Sequence, residues 1–267
     1  MIKDVQNQKD LRNIPIQKVG VKDVEIPLII ERKPENSTNI PLESVYAKVK
    51  MSVSLPSHFR GTHMSRFLEI LNKYKKESLL STDIEQVLFD MKNRLDAQNA
   101  YVKFDFKYFI NKKAPISNLE SLMCYDCAFE GEVDENCNYK FYLIANVPMT
   151  TLCPCSKEIS KYGAHNQRAL LKIKVSYDND KHIWLEDLIK MAESCASCEI
   201  YPLLKREDEK HVTECAYENP KFVEDVIRDV VLKLNENEVI NFYEVEMQAF
   251  ESIHNHNAWA YQKCYKK

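Results

Sequence analysis

The chain is 267 residues long, 45% hydrophobic and 29% charged, with a net charge of −3, the composition of a globular protein of one large domain or two smaller ones. No excess of Lys and Arg offers an electrostatic footprint for nucleic acid, and no apolar run approaches the ~20 residues of a membrane span. Neither is an expected partner, and nine cysteines without an apolar leader in MIKDVQNQKDLRNIP point to a reducing cytoplasm, where thiols are buried, metal-bound or catalytic.

The first forty residues, interrupted by Pro15, Pro27, Pro34 and Pro41, read as an arm with no long element. From Ser44 the chain alternates apolar and polar residues through Val45, Ala47, Val49, Met51 and Val53, a half-buried strand ending at Pro56. Two helices are expected over about 63–75 and 83–98, the second with Asp83 as cap and a stripe at Ile84, Val87, Leu88, Met91 and Leu95. Strands follow at about 100–111, 119–133 and 138–149, then a polar Cys-rich loop and a strand at 168–177. Helices are predicted at about 184–196 and 220–235, the latter with Asn219 as N-cap and Pro220 as its first residue, before a last strand at 240–252. Strand, helix, helix, strand thus occurs twice, at 44–111 and 168–252. Strands adjacent in sequence favour antiparallel pairing with helices on one face, an α+β architecture.

The stretch TTLCPCSKEISKYGAHNQR (150–168) sets Cys153 and Cys155 one residue apart and His165 twelve residues beyond Cys153. Thiolate and imidazole at this spacing can hold a transition metal, act as nucleophile and base, or be inert. A disulfide between the two cysteines would close a strained ring. Lys157 favours a reactive thiolate, and a closed zinc site completed by Cys195 and Cys198 is a further option. Cys124 and Cys127 lie three apart on a predicted strand and face opposite sides; core packing is the reading for both. In ESIHNHNA, Glu251, His254 and His256 suit proton transfer or metal binding, or simply a solvated surface. The charged cluster LLKREDEKHVTE (203–214) reads as a solvated loop. RGTHMSRF (60–67) places Arg60, His63 and Arg66 before a helix, as a phosphate site or only an N-cap. Glu224 lies off the apolar stripe Phe222, Val223, Val226, Ile227, Val230 and Val231, where a carboxylate is favoured by the helix dipole.

Together these stretches resemble the prokaryotic type IB GTP cyclohydrolases. The likeness runs from DVQ (4–6) and KVGVKDVEIPL (18–28) through RGTHMSRF, LCPCSKEIS and YGAHNQRA to LLKREDEKHVTECAYENPKFVEDVIRD (203–229) and ESIHNHNA. It spans nearly the whole chain, and CPCSKEIS with GAHNQR is its most specific part. The resemblance implies a tunnelling fold: two antiparallel-sheet modules, each with a helix pair, that assemble into multi-subunit barrels. Here the modules would be 41–135 and 136–267 after an arm at 1–40, with the metal site in the second. Homotetramers with active sites between subunits are implied as well, an assembly that also joins exposed strand edges.

The same resemblance implies residue roles. One divalent metal per subunit (zinc, manganese or iron) would be held by Cys153, His165 and Glu209, and three protein ligands leave a position open for an activated water. Cys155 would act beside that water in proton handling, His254 and His256 would form an acid–base pair oriented by Glu251, and Glu224 would anchor the guanine edge. Arg60, His63, Arg66, Lys157 and Arg206 would hold the triphosphate. The implied reaction opens the imidazole ring of GTP at C8, releases formate and recyclises to 7,8-dihydroneopterin triphosphate, which starts folate and some modified-base pathways. Two other readings stand beside it. One is a related tunnelling-fold enzyme acting on a pteridine or deazapurine, with Cys155 as covalent nucleophile. The other is a non-catalytic protein with a structural zinc on Cys153, Cys155, Cys195 and Cys198.

Overall fold

The structure, a computed structural model, describes residues 6, 8–35, 39–74, 79–178 and 180–266. Its elements are β1 (Ile16–Glu31), β2 (Leu42–Leu55), α1 (Met64–Lys73), α2 (Ser81–Leu95), β3 (Ala100–Lys113), β4 (Glu120–Val133), β5 (Tyr139–Leu152), α3 (Pro154–Ile159), β6 (Asn166–Tyr177), α4 (Leu185–Glu193), α5 (Arg206–Glu218), α6 (Val223–Glu236), β7 (Ile240–Ala249) and β8 (Ala258–Tyr265). The strands follow chain order, β1 to β8, in one eight-stranded sheet, and the α+β architecture expected from adjacent strands is observed. Among the described residues no helix is long and apolar enough to cross a membrane. The predicted end of the first helix at residue 75, and Asp4 and Val5 of the DVQ motif, lie outside the described residues.

The chain divides into two compact units, Met1–Phe106 with Ala128–Leu143, and Lys107–Cys127 with Ile144–Lys267. In the first, β2 pairs with β1 on one side and β3 on the other. Of the predicted helix stripe, Ile84, Val87, Leu88 and Met91 of α2 are fully covered and Leu95 is half-buried; Phe67 and Ile70 of α1 are fully covered as well. Each such side chain contributes about 1.5–3 kcal/mol on burial. The α2 helix starts two residues before Asp83, which sits at its third position and accepts from the Leu80 N–H at 2.9 Å.

Within the first forty residues, read as an arm with no long element, β1 runs for sixteen residues. Its register shifts between Val21 and Val24, with Asp23 at φ 58°. A bulge of this kind moves the apolar set from one face to the other mid-strand, which hides the two-residue period. Pro27 is tolerated because β1 stands at the end of the strand order and needs no N–H on its open side. Gly20 is required by the close approach of β2, since a Cβ there would lie 2.0 Å from the Met51 carbonyl oxygen.

In the second unit, β7 pairs with β6 and β8. Val223, Val226, Ile227, Val230 and Leu234 of α6 are buried, while Phe222 is exposed. Three features of this unit differ from what the sequence predicts. The charged stretch 203–214 is not a loop: from Arg206 it forms α5, with Glu207, Asp208 and Glu209 in the first turn, where the dipole favours acids. Buried Asp208 accepts from Lys205 N–H, Ile116 N–H and Ser117 N–H, each at 2.9 Å, and from the Ser117 hydroxyl at 2.6 Å. Asn219 does not cap α6; it ends α5, its N–H bonding the Cys215 carbonyl at 3.1 Å. The α6 helix begins instead at Val223, where Asp225 accepts from the Phe222 N–H at 3.0 Å. Lastly, the chain carries an eighth strand, β8, which the reading ending at 252 missed.

This unit also holds a buried polar cluster. Lys112 Nζ of β3 lies 2.8 Å from Glu193 of α4 and 2.9 Å from Glu199, and the Tyr125 hydroxyl donates to Glu193 at 2.7 Å. Burial pushes the Glu193 carboxyl up, while Lys112 and Tyr125 pull it back.

Candidate active site

The Cys-rich segment is not a loop but the N-terminus of a helix. Pro154 occupies the first helical position of α3, where its missing N–H costs nothing, and Cys153 is the N-cap, its sulfur accepting from the Ser156 N–H at 3.4 Å. The backbone N–H of Cys153 donates to the His165 carbonyl at 3.1 Å, and the Ser156 hydroxyl accepts from the His165 N–H at 3.2 Å. Cys153, at the end of β5, and His165, at the start of β6, are thereby tied side by side.

Around this pair lies a cavity of about 410 Å³ lined by Thr151, Cys153, His165, Gln167, Lys221, Phe222, Val223, Glu224, Ala249, Glu251, His254, His256, Ala258 and Trp259. Every lining residue comes from the second unit. The end of β7 brings Glu251, whose Oε2 is 3.8 Å from His165 Nδ1. The β7–β8 connection brings His254 and His256, both exposed, with ring centroids 5.0 Å apart and planes 15° from parallel. Glu224 enters from the first turn of α6; the Lys221 N–H, which donates to the Leu152 carbonyl at 3.0 Å, pins the segment just before it to β5.

Six predicted site residues therefore meet in one cavity: Cys153, His165, Glu224, Glu251, His254 and His256. The others lie elsewhere. Cys155 is exposed on α3, and Glu209 and Arg206 are exposed in the first turn of α5; none of them lines the cavity. Lys157 donates to the Tyr217 carbonyl and lies 4.4 Å from the Tyr217 ring centre, against the last turn of α5. Arg60, His63 and Arg66 belong to the first unit. There Arg60 bonds Gln8 at 3.0 Å, Arg66 bonds the Arg94 carbonyl at 2.8 Å, and His63 precedes α1.

A cysteine and a histidine joined by a backbone hydrogen bond supply thiol and imidazole donor types that suit a zinc-like divalent ion, and the Glu251 carboxylate beside His165 widens the choice to manganese or iron. Among the described residues no three His, Cys, Asp or Glu side chains are gathered closely enough to cage a metal ion. The donor types fit such an ion, and Cys153 and His165 line the same cavity. Cys195 and Cys198 of the four-thiol alternative do not line it: both are buried, and the Cys195 thiol donates to the Met191 carbonyl at 3.4 Å. Burial, with the neighbouring Cys215, pushes the Cys198 thiol up to about 12. Of the strand pair, Cys127 is buried and Cys124 exposed, so the opposite-face reading holds and core packing applies to Cys127 alone.

Sequence reasoning missed Thr151, Gln167, Lys221, Phe222 and Trp259 as cavity residues. Gln167 stands inside the GAHNQR motif, and Phe222 falls on the apolar stripe by its spacing. Trp259 lay beyond the last predicted strand, although a tryptophan is scarce in this chain, which has two.

Solved structures similar to the chain include a uricase from Bacillus fastidious, with a TM-score of 0.57 and 9% identity over 94% of this chain and 93% of that one. The urate oxidase of Bacillus sp. TB-90 has a TM-score of 0.54 and 11% identity over 94% of this chain and all of that one. At such identities the likeness is one of fold, and it gives the chain the uricase-like tunnelling architecture. The sequence relatives are nearer. A protein of Thermosipho africanus named GTP cyclohydrolase FolE2 is 51% identical over 261 residues, 97% of this chain and 96% of the relative. One of that name from Geotalea uraniireducens is 51% identical over 257 residues, 96% and 91% of the two chains. The model of the type I GTP cyclohydrolase FolE2 family matches residues 2–260, every cavity-lining residue included, and the chain belongs to that family.

Proposed function

We propose that the chain is a GTP cyclohydrolase that opens the imidazole ring of GTP at C8, releases formate and recloses the product as 7,8-dihydroneopterin triphosphate, the first step towards tetrahydrofolate. The observation that carries this reading is the second-unit cavity, where a thiol–imidazole pair, a histidine pair and two carboxylates converge.

The residues divide the chemistry. Glu224, exposed at the cavity wall, would accept from the N1–H and exocyclic amine of guanine, a pair of donors that adenine lacks. His254 and His256, side by side and open to solvent, suit proton delivery to ring nitrogens, with Glu251 to orient them. Cys153 and His165 would hold the metal, with Glu209 as the third ligand. When bound, the metal supplies a Lewis acid that makes water nucleophilic near neutral pH. Cys155 would handle protons beside that water, and Arg60, His63, Arg66, Lys157 and Arg206 would take the triphosphate. A homotetramer with active sites between subunits is consistent with Glu209, Cys155 and Arg206 lying on the surface and not in the cavity. Nine free thiols favour the reducing cytoplasm.

Incubation of the purified protein with GTP and zinc or manganese, followed by oxidation, should give pterin fluorescence, and ATP should give none. No fluorescent product with any of the metals would sink the reading.

A further inference from the structure

We propose that Gln167 is a positioning residue for His165, fixing the ring and the nitrogen it offers to the metal; this rests on the reading of Cys153 and His165 as ligands. Gln167 is the second residue of β6, half-buried at the cavity wall. Its Oε1 is 3.0 Å from His165 Nδ1, and its Nε2 donates to the Thr151 hydroxyl at 3.1 Å. Thr151 is only 1% exposed at the end of β5, so the amide is anchored to a fixed point of the sheet.

The second group facing Nδ1 is the Glu251 carboxylate at 3.8 Å. Both neighbours are then acceptors, which places the ring proton on Nδ1 and leaves the Nε2 lone pair for a metal. The reverse orientation of the amide would aim an N–H at Nδ1 and turn the Nδ1 lone pair towards a carboxylate. Glu251 is beyond hydrogen-bond distance, so Gln167 carries the bond and Glu251 is left available to the histidine pair. The His165 backbone is already fixed at both its N–H and its carbonyl. Rotation of the ring is the freedom that remains, and Gln167 removes it.

The test is zinc affinity of the full chain, read by competition with a chromophoric chelator, for wild type, Gln167→Leu, Gln167→Glu and His165→Ala, with melting curves of the metal-free proteins as a check on folding. Gln167→Leu should bind zinc ten- to a hundredfold more weakly, the usual loss when the partner of a ligating histidine is removed. Gln167→Glu keeps an acceptor at Nδ1 and should stay within about threefold of wild type. Zinc binding by Gln167→Leu as tight as wild type overturns the proposal, and a raised KM for GTP with unchanged zinc affinity would make Gln167 a substrate contact instead. Equal losses in Gln167→Leu and Gln167→Glu would also overturn it, by pointing to packing. If His165→Ala holds zinc like wild type, the ligand reading itself fails and this inference falls with it, a result distinct from the others.

Discussion

Glu224 and Glu209 are the two acidic residues on which the chemical reading turns, and they stand in opposite situations. Glu224 lines the cavity in the first turn of α6. Glu224→Gln keeps its size but sets an amide donor against a guanine donor, where hydrogen bonds to a charged acceptor contribute ~1.5–3 kcal/mol each. KM for GTP should rise about ten- to a hundredfold, or roughly 1.4–2.8 kcal/mol, with metal content unchanged; turnover within about threefold of wild type would make the carboxylate a surface charge. Glu209 is exposed on α5, whereas Glu251 already stands 3.8 Å from His165 Nδ1. As the proposed third ligand, Glu209→Ala should lose bound metal as completely as Cys153→Ala and His165→Ala when measured by elemental analysis. Full metal in Glu209→Ala would remove Glu209 from the ligand set.

At the scale of elements, α5 shows what the sequence does and does not make legible. Thirteen residues long, it buries only Asp208 and Ala216, so no apolar period marks it and a charged run reads as a loop. Its start is set by Asp208 and not by a stripe. Burial would push this carboxyl up, but bonds from Ser117, Lys205 and Ile116 hold it well below the usual carboxylate range. Because the folded-state value is depressed, the stability it contributes is present above the ordinary Asp value of about 3.9 and is lost as pH falls below that towards the folded value. Asp208→Asn offers an amide donor to backbone donors and should lower the urea midpoint at pH 7, with the gap to wild type narrowing below about pH 4. A gap independent of pH would assign the effect to packing. Where burial is one-sided, as in α2, β2 and α6, periodicity locates the element to within a few residues. It fails at β1, whose bulge at Asp23 breaks the alternation, and at β8, whose exposed Trp259, Tyr261 and Tyr265 leave no buried face to read. The cavity was legible where motifs carry unusual residues, at Cys153, His165, Glu251, His254 and His256. It was hidden at Thr151, Gln167 and Lys221, whose ordinary side chains matter only through what the fold sets beside them.

At the scale of the whole molecule, β1 and β8 end the strand order, and unpaired strand edges invite pairing with another copy. The proposed homotetramer predicts a light-scattering mass in solution four times the 31.3 kDa of the chain; a monomer's mass would remove the intersubunit site and with it the explanation for the exposed Glu209. Cyclohydrolysis of GTP in the second-unit cavity can be followed most directly with GTP labelled with carbon-13 at C8, by nuclear magnetic resonance. The label should leave as formate, one molecule for each dihydroneopterin triphosphate formed, and His165→Ala should release none. Label retained in a purine or pteridine product, or formate released by His165→Ala at the wild-type rate, would contradict cyclohydrolysis in this cavity.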